Sequence, residues 1–334
     1  YGDLSMQSQT FELMCTVGPT LKEPEMIAKV IQEGVSTIRI NFSHGSREDH
    51  IFLCQQIRAG AKLAGKPVKI MGDIQGPKFR VGAFLQEVNL QQNQIFTLDK
   101  QNLPGSQSRC YLPHQELFDA AQPNDELLLN DGEVRLQVKN KLPDQLTCVV
   151  TKAGQLGSNK GISLPGRLIS CEFLQTADLV AVETANLLHL DILMLSFVQT
   201  AKDVLELRNL FKGELMAKIE TPTAIQNVLE IANAADSILI ARGDLGVEAG
   251  EFQICRNQKK ICSQIGKKNG KVRVYAATHF LESLVVNMEP TRAEANDIFW
   301  AVKDGIQGIL LTKETANGVD PVNAVQWLKK LAIQ

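Results

Sequence analysis

The amino-acid sequence predicts an α/β fold: a (β/α)8 barrel of the TIM type, with a small all-β domain inserted after the third strand. Two observations carry this prediction. Short apolar runs rich in Val, Ile, Leu and Met alternate with longer segments of helical periodicity, and this unit occurs eight times. Between about residues 77 and 166 the alternation stops, and only short β-type runs separated by turns remain.

Eight apolar runs are expected to form the barrel strands. Continuous apolar strands joined by helices are typical of a parallel sheet covered on both faces, and eight of them favour closure into a barrel. An open doubly wound sheet is the alternative, but it usually carries GxGxxG after its first strand, which this sequence lacks there. The runs cover residues 11–17, 37–43, 68–74, 191–198, 215–220, 237–243, 272–278 and 308–314.

The interruption of the alternation divides the chain into three segments. Residues 1–76 are predicted to form the first part of the barrel, and residues 167–334 the second part. Residues 77–166 are predicted to form the inserted β-domain, which begins at a Gly-Pro and ends at a Leu-Pro-Gly. A separate domain at the mouth of a barrel can act as a lid.

Composition excludes several classes of function. The net charge of −2 gives no basic surplus for nucleic acid or for an anionic membrane surface. Seven cysteines without a CxxC pair predict reduced thiols in a cytoplasmic protein, not disulfides or a zinc site. Of these, Cys255 and Cys262 are expected to pack into the core from a helix. No apolar run is long enough to predict a transmembrane helix.

Polar residues follow the apolar part of most predicted strands. In a parallel barrel the carboxyl ends of the strands meet at one face, where the chemistry of such barrels lies. A mutual network of ion pairs is the structural alternative to a functional site. The residues expected at this face are Arg39, Asn41, Ser43, His44, Asp73, Ser196, Lys218, Glu220, Arg242, Gly243, Asp244, Thr278, Glu314 and Thr315.

Two of these residues predict a metal site. Glu220 and Asp244 follow neighbouring strands, and two carboxylates with water and substrate oxygens suit Mg²⁺ or Mn²⁺ better than zinc. Lys218 lies two residues before Glu220, so both side chains point to the same face of their strand. Together with Arg39, and with Gly243 allowing close backbone approach, they suit a phosphate-bearing or enolate-forming substrate.

Nine strings of this sequence, in order and over roughly residues 11–332, resemble the pyruvate kinase family. That family's fold, a (β/α)8 barrel with a β-domain after the third strand, agrees with the pattern described above. The strings are RINFSHGS (39–46), GPKFRVG (76–82), LNDGEVRLQV (129–138), KGISLPG (160–166), SFVQTAKDV (196–204), AKIETPTAI (217–225), ARGDLGVE (241–248), PTRAEANDI (290–298) and KETANG (313–318).

The resemblance implies phosphoryl transfer from phosphoenolpyruvate to ADP, giving pyruvate and ATP. It implies that Glu220 and Asp244 bind Mg²⁺ and that Lys218 stabilises the transferring phosphoryl group. It also implies that Arg39 contacts phosphate and that Thr278 lies near the carbon that is protonated.

The remaining implied contacts concern the substrates. Gly243 matches a substrate-binding position of the family, beside Asp244. The nucleotide site is implied at Asn41, His44, Arg80 and Lys160. The inserted domain would close over this site and exclude water.

One departure from the family concerns K⁺. Many members require K⁺ near the positions of Asn41, Ser43, Asp73 and Ile74, and have glutamate where this chain has Lys78. A lysine ammonium can replace the charge of the monovalent ion, so we predict activity without K⁺. The structural alternative is that Lys78 is a solvated surface residue.

Other departures leave alternatives open. The sequence ends after the eighth helix, so the family's C-terminal regulatory domain is expected to be absent, together with sugar-phosphate activation; a homodimer through the barrel is compatible with the resemblance. Gln199 replaces an arginine, and His279 follows Thr278 where the family has glutamine.

Two alternative functions therefore stay open. One is a metal-dependent aldolase or lyase acting on 2-oxo acids, and the other is a regulatory descendant that binds phosphoenolpyruvate with little turnover.

Overall fold

The structure is a computed structural model that describes residues 11–167, 169–268 and 272–333. Its strands, in chain order, are β1 (Glu12–Thr16), β2 (Val35–Asn41), β3 (Lys69–Ile74), β4 (Val88–Leu90), β5 (Ile95–Asp99), β6 (Arg109–Tyr111), β7 (Glu126–Leu129), β8 (Val134–Leu142), β9 (Gln145–Lys152), β10 (Gly154–Leu156), β11 (Ile162–Ser163), β12 (Ile192–Leu195), β13 (Glu214–Ile219), β14 (Ser237–Ala241), β15 (Arg273–Ala277) and β16 (Gly308–Leu310).

Eight parallel strands close into a barrel in the order β1-β16-β15-β14-β13-β12-β3-β2. The ring is completed where β1 pairs with both β2 and β16, with Glu12 opposite Gly308. The (β/α)8 prediction is therefore confirmed, and each of the eight predicted runs overlaps a barrel strand. The last run was predicted too long, because its strand ends at Leu310 and Lys313–Ala316 form a short helix.

Helices connect the strands and cover the outside of the barrel. The longest, Arg47–Ala64, begins at a capping box between Ser46 and Asp49 and ends at Gly65 in the left-handed region. The helices are α1 (Pro24–Glu33), α2 (Arg47–Ala64), α3 (Gln115–Ala120), α4 (Thr176–Leu187), α5 (Ala201–Arg208), α6 (Pro222–Gln226), α7 (Val228–Ala234), α8 (Arg242–Ala249), α9 (Ile254–Lys268), α10 (Arg292–Asp304), α11 (Lys313–Ala316) and α12 (Pro321–Ala332), with 3-10 turns at Glu251–Gln253 and Glu282–Val285.

Apolar side chains divide into three packed clusters. The largest lies between the strands and the surrounding helices. A smaller cluster, which includes Met14, Met71, Met194 and Met216, fills the interior of the barrel. Burial of these side chains, at about 25 cal/mol per Å² of apolar surface, drives closure of the ring. It also fixes the strand ends on which the polar side chains stand.

The chain between β3 and β12 forms two further sheets. One has six strands in the order β11-β7-β8-β9-β5-β6, and the other pairs β10 with β4. Their apolar side chains pack in the third cluster, around Phe96 and Phe118. The expectation of strands alone is corrected by helix α3, which lies within this segment. That the segment is a separate domain with boundaries at residues 77 and 166, and that it moves as a lid, stay predictions.

The two cysteines of helix α9 differ in burial. Cys262 is buried in the core as predicted, whereas Cys255, on the same helix, is exposed. Among the described residues, no helix combines the length and the apolar character that crossing a bilayer requires.

Candidate active site

Lys218 and Glu220 meet a group of polar side chains at the carboxyl end of the barrel. The Lys218 ammonium lies 2.9 Å from Oε1 of Glu220 and 3.6 Å from Oδ1 of Asp73. It also donates a hydrogen bond of 2.8 Å to the Ser196 hydroxyl. Glu220 is fully buried. Because strands β3, β12 and β13 are neighbours in the ring, residues far apart in the chain arrive at one point.

Arg39 forms the second cationic part of this group. Its guanidinium donates to Oδ2 of Asp73 from both Nε (2.8 Å) and Nη2 (2.5 Å), and to the Thr16 hydroxyl at 3.3 Å. Burial opposes ionisation of Asp73, but Lys218 and Arg39 outweigh it and lower the pKa of its carboxyl. Asp73 is thus an anion that holds both cations in place.

Burial and charge act in opposite directions on the central pair. For Glu220, burial is the largest effect and Asp244 adds to it, so its pKa is raised to about 7 despite the opposing charge of Lys218. Burial favours the neutral amine of Lys218, but Asp73, Glu220 and Asp244 outweigh it and raise the pKa of the ammonium. Lys218 therefore stays charged, while Glu220 needs a further cation to be fully ionised at neutral pH.

A strained turn after β12 supplies a donor that the sequence did not reveal. The backbone N–H of Phe197 donates to Oε2 of Glu220 at 2.5 Å. Phe197 has a φ of +56°, a conformation that a bulky residue rarely adopts. A backbone N–H leaves no mark in the residue types, so only the fold identifies this contact.

Asp244 stands in the first turn of α8 and faces the inserted segment. Lys78, which lies just after β3, places its ammonium 3.6 Å from Oδ1 of Asp244 and 5.8 Å from the centre of the Phe197 ring. The carboxylate nearest to the Lys78 ammonium is therefore that of Asp244. Asp73, the other acidic residue close by, is paired with Arg39 and Lys218. Lys78 therefore lies beside Asp244, and its role in the site stays a prediction.

Some oxygen atoms at the positions predicted for a monovalent ion already accept hydrogen bonds from protein groups. The side-chain oxygen of Asn41 accepts a 3.1 Å hydrogen bond from the backbone N–H of Ser43. Ile74 is fully buried, and its carbonyl accepts from the Ser196 hydroxyl at 2.7 Å. Whether these groups need K⁺ stays a prediction.

The carboxylates at this face fit a magnesium ion that is shared with substrate. Oε1 of Glu220 is buried and, although it lies near the Lys218 ammonium, no donor is aligned on it for a hydrogen bond. Among the described residues no three His, Cys, Asp or Glu side chains form a metal cluster. Mg²⁺ typically takes one or two carboxylates and completes its shell with water and phosphate. Glu220 and Asp244 match that donor set, and a third protein ligand is not needed.

Arg39, Asn41, His44 and Thr278 line one cleft beside this group. Arg80 and Lys160 do not line it. They lie on the inserted segment, where Arg80 donates to the Asn159 carbonyl at 3.0 Å and the Lys160 carbonyl accepts from the backbone of Val81. A shared nucleotide site for these two sets of residues stays a prediction.

Thr278 follows β15 in a strained conformation. Its φ is +67° and that of His279 is +55°. The Thr278 hydroxyl accepts a 2.7 Å hydrogen bond from the N–H of Gly243 and donates one of 2.6 Å to the Ala277 carbonyl. Gly243 therefore lies directly against Thr278.

Three of the strand-end residues make structural contacts. Arg242 is buried, pairs with Asp297, donates to the His279 carbonyl at 2.9 Å and stacks on Phe280 at 3.9 Å. Thr315 is buried and exchanges hydrogen bonds of 3.0 Å with the backbone of Thr16. Glu314, the residue before Thr315, accepts from the backbone N–H of Thr312 at 2.7 Å.

The chain matches one protein family over nearly its whole length. The family model of the pyruvate kinase barrel domain matches residues 8–325. A crystal structure of a pyruvate kinase from Cryptosporidium parvum superposes with a TM-score of 0.92 at 30% identity, over 97% of this chain and 68% of that one.

Curated relatives agree with this match. A protein from Agrobacterium vitis named pyruvate kinase is 37% identical over 96% of this chain and 68% of its own length. Proteins of the same name from Methylorubrum extorquens and Corynebacterium glutamicum are 35% and 34% identical, over 98% and 96% of this chain and 69% and 68% of their own lengths.

Proposed function

The chain belongs to the pyruvate kinase family and is a phosphotransferase; we propose that it transfers the phosphoryl group of phosphoenolpyruvate to ADP, giving pyruvate and ATP. The observation that carries this proposal is the buried contact of Lys218 with Glu220, beside the pair of Arg39 and Asp73. The cations Lys218 and Arg39 and the anions Glu220 and Asp73 surround one point. A trianionic substrate and one divalent cation would find groups of opposite charge there. Removing such preorganised groups typically costs about 10²–10³ in rate.

Glu220 and Asp244 would hold the Mg²⁺, which neutralises phosphate charge and polarises the substrate when bound. The residues of the chain supply the remaining electrostatics. Lys218, charged because its three carboxylate neighbours outweigh its burial, stabilises the oxygens of the transferring group. Arg39 is held by Asp73 through two hydrogen bonds to the same carboxylate oxygen, Oδ2, so it can meet a phosphate without reorganising.

The inserted segment would complete the site by closing over it. Lys78 already bridges from this segment to Asp244 across 3.6 Å. Closure would bring Arg80 and Lys160 toward Asn41 and His44, where they would bind the phosphates of ADP. It would also exclude water, which otherwise competes with ADP for the phosphoryl group.

We also propose that Lys78 makes K⁺ unnecessary. The position of its ammonium, 3.6 Å from Oδ1 of Asp244 and 5.8 Å from the centre of the Phe197 ring, supports this proposal. A fixed positive charge at the closing edge of the site can replace that of a bound monovalent ion. Pairing of two chains through the barrel and a cytoplasmic location are further predictions.

A coupled assay tests the proposed function. Pyruvate formation is followed with lactate dehydrogenase and NADH, in the presence of Mg²⁺, phosphoenolpyruvate and ADP. Turnover that requires both ADP and Mg²⁺ supports the proposal. Cleavage of a 2-oxo acid without ADP would point to a lyase instead, and binding of phosphoenolpyruvate without turnover would point to a regulatory descendant.

A further inference from the structure

The chain passes between the barrel and the inserted segment twice, and one buried carboxylate binds both passages. Asp178, in the first turn of α4, is only 1% exposed. Its Oδ1 accepts a 3.0 Å hydrogen bond from the backbone N–H of Gly76, where the chain leaves the barrel after β3. Its Oδ2 accepts one of 3.0 Å from the N–H of Gln175, where the chain returns to α4. Asp178 therefore ties the outgoing joint at Gly76 to the returning joint at Gln175.

The two contacts suit a carboxylate and not an amide. Two backbone N–H groups need two acceptor oxygens, and an amide side chain would turn its own donors toward one of them. Burial raises the pKa of the Asp178 carboxyl, and the backbone N–H groups of Gln175, Gly76 and Gln75 act in the opposite direction. The contact with Gln175 belongs to the capping box of helix α4. The contact with Gly76 does not, because Gly76 lies outside that helix, so capping alone does not account for this carboxylate.

The outgoing joint is also confined on its other side. Gly76 has a φ of +66°, and a Cβ atom built on it would collide with the carbonyl oxygen of Ser196. Only glycine fits such a position without strain. The hydroxyl of the same Ser196 accepts the 2.8 Å hydrogen bond from the Lys218 ammonium. The joint is therefore held between Asp178 and the strand end that contacts Lys218.

Lys78 links the outgoing joint to one of the carboxylates proposed for the metal. Its backbone N–H donates to the Gly76 carbonyl at 2.8 Å, so the two residues form one tight turn. Its side chain reaches Asp244, 3.6 Å away on α8. Because the turn is short, a displacement of Gly76 would displace Lys78 with it. The position of Gly76 therefore affects how the inserted segment meets the barrel.

We propose that Asp178 is a positioning residue that fixes both joints of the inserted segment, so that the segment closes over the site in one orientation; this inference rests on the proposed function. In the closed site, the bond between phosphorus and the enol oxygen breaks and a new bond forms to an oxygen of ADP. When the joints are loose, water enters and takes the place of ADP. One hydrogen of that water then stays on the phosphate and the other is taken up by the enolate, which gives phosphate and pyruvate without ATP.

The ratio of pyruvate to ATP tests this role. Asp178→Asn, which keeps the shape of the side chain, is compared with the unmodified chain in the presence of phosphoenolpyruvate, ADP and Mg²⁺. Pyruvate is measured with lactate dehydrogenase, and ATP with hexokinase and glucose-6-phosphate dehydrogenase. We expect the variant to form ATP up to about 10²-fold more slowly, a loss that a small misplacement can cause, and to form pyruvate in excess over ATP. The unmodified chain should form both in equal amounts.

A merely structural role would not change this ratio, because partial unfolding lowers both products alike. Asp320→Asn is the matched control. Asp320 also accepts two backbone hydrogen bonds of 3.0 Å, but both donors, Val322 and Asn323, belong to the helix α12 that it caps. This variant should form pyruvate and ATP in equal amounts.

The outcomes separate the two proposals. Equal amounts of pyruvate and ATP from Asp178→Asn would overturn the role of Asp178 while leaving the proposed function intact. Absence of ATP formation by the unmodified chain would overturn the proposed function instead. If Asp178→Asn does not fold, Gly76→Ala decides. Its methyl group would displace the outgoing joint from the Ser196 carbonyl and should also give an excess of pyruvate, and equal amounts would reject the proposal.

Discussion

The Lys218 ammonium lies 2.9 Å from the buried carboxylate of Glu220, two residues further along the chain. The period of two of a β-strand aims both side chains at one side, and the ring of strands brings Asp73 and Ser196 to the same place. The ammonium is thus surrounded by acceptors that fix its position and its charge.

Lys218→Met should reduce the rate of phosphoryl transfer by about 10²–10³-fold or more, since this is the loss typical when one electrostatic donor is removed. The methionine keeps the volume of the side chain but removes the charge that faces the substrate. Mn²⁺ binding, measured by electron paramagnetic resonance, should persist because Glu220 and Asp244 remain. Lys69→Met is the control: Lys69 pairs with exposed Glu214 at the opposite end of the barrel. Turnover that survives in Lys218→Met would reject the role given to this lysine.

Lys78→Met should make activity depend on K⁺. The unmodified chain should turn over with Tris as the monovalent cation, because the ammonium beside Asp244 supplies the positive charge. In the variant, activity in Tris should fall, and titration with K⁺ should restore part of it. The coupled assay at fixed Mg²⁺ measures both. A strong K⁺ requirement of the unmodified chain would contradict this prediction.

Gly243→Ala should impair catalysis without unfolding the chain. The added Cβ lies 3.2 Å from the Thr278 hydroxyl, a contact that is tight but needs only a small shift, and it fills the space expected for substrate. We expect a higher KM for phosphoenolpyruvate with a melting temperature close to that of the unmodified chain. Gly266→Ala is the control: no atom lies within 4 Å of its added Cβ, and alanine should stabilise helix α9 by about 0.5–1 kcal/mol. Equal effects of the two substitutions on KM would argue against substrate contact at Gly243.

Asp99 should make the stability of the six-stranded sheet dependent on pH. Burial opposes ionisation of Asp99, but Arg109 outweighs it with two hydrogen bonds, so the pKa of this carboxyl is lowered on folding. A lowered carboxyl pKa gives stability that is present above the unfolded pKa of about 4 and is lost as pH falls through the folded value. Hydrogen exchange of the amides in β5 and β6 measures this.

Asp99→Asn should therefore speed exchange of these amides at pH 7, and the difference from the unmodified chain should disappear at low pH. Glu126→Gln serves as comparison, because Glu126 belongs to an exposed pair with Arg135 and should contribute little. A difference that persists below the folded pKa would exclude ionisation of Asp99 as its cause.

The pattern of apolar runs was sufficient to predict the barrel, since closed parallel sheets bury both faces of every strand. It was also sufficient to predict that Arg39, Asp73, Lys218 and Glu220 meet, because strand ends share one face. The pattern of apolar runs was insufficient where the residues are polar and fit either a strand or a helix. The residues after Leu310 were predicted to continue the strand, but Lys313–Ala316 form a helix.

Contacts that depend on backbone direction or on the turn of a helix could not be predicted either. The donor of Phe197 is a backbone group, and the Glu282 that contacts His279 lies in a 3-10 turn without a periodic signal. Arg242 follows the same strand as Asp244 but points to Asp297, because helix α8 begins at Arg242 and turns these side chains in different directions.

The pairing of Glu12 with Gly308 has a consequence for synthesis on the ribosome. The first strand emerges about 300 residues before the partner that closes its free edge. At about 5–20 residues per second, that edge waits about 15–60 s. The six-stranded sheet, by contrast, is built from segments close together in the chain and can be complete while the barrel is still open. Nascent chains of this protein are therefore expected to expose an unpaired, aggregation-prone edge, and chaperones should engage them before translation reaches β16.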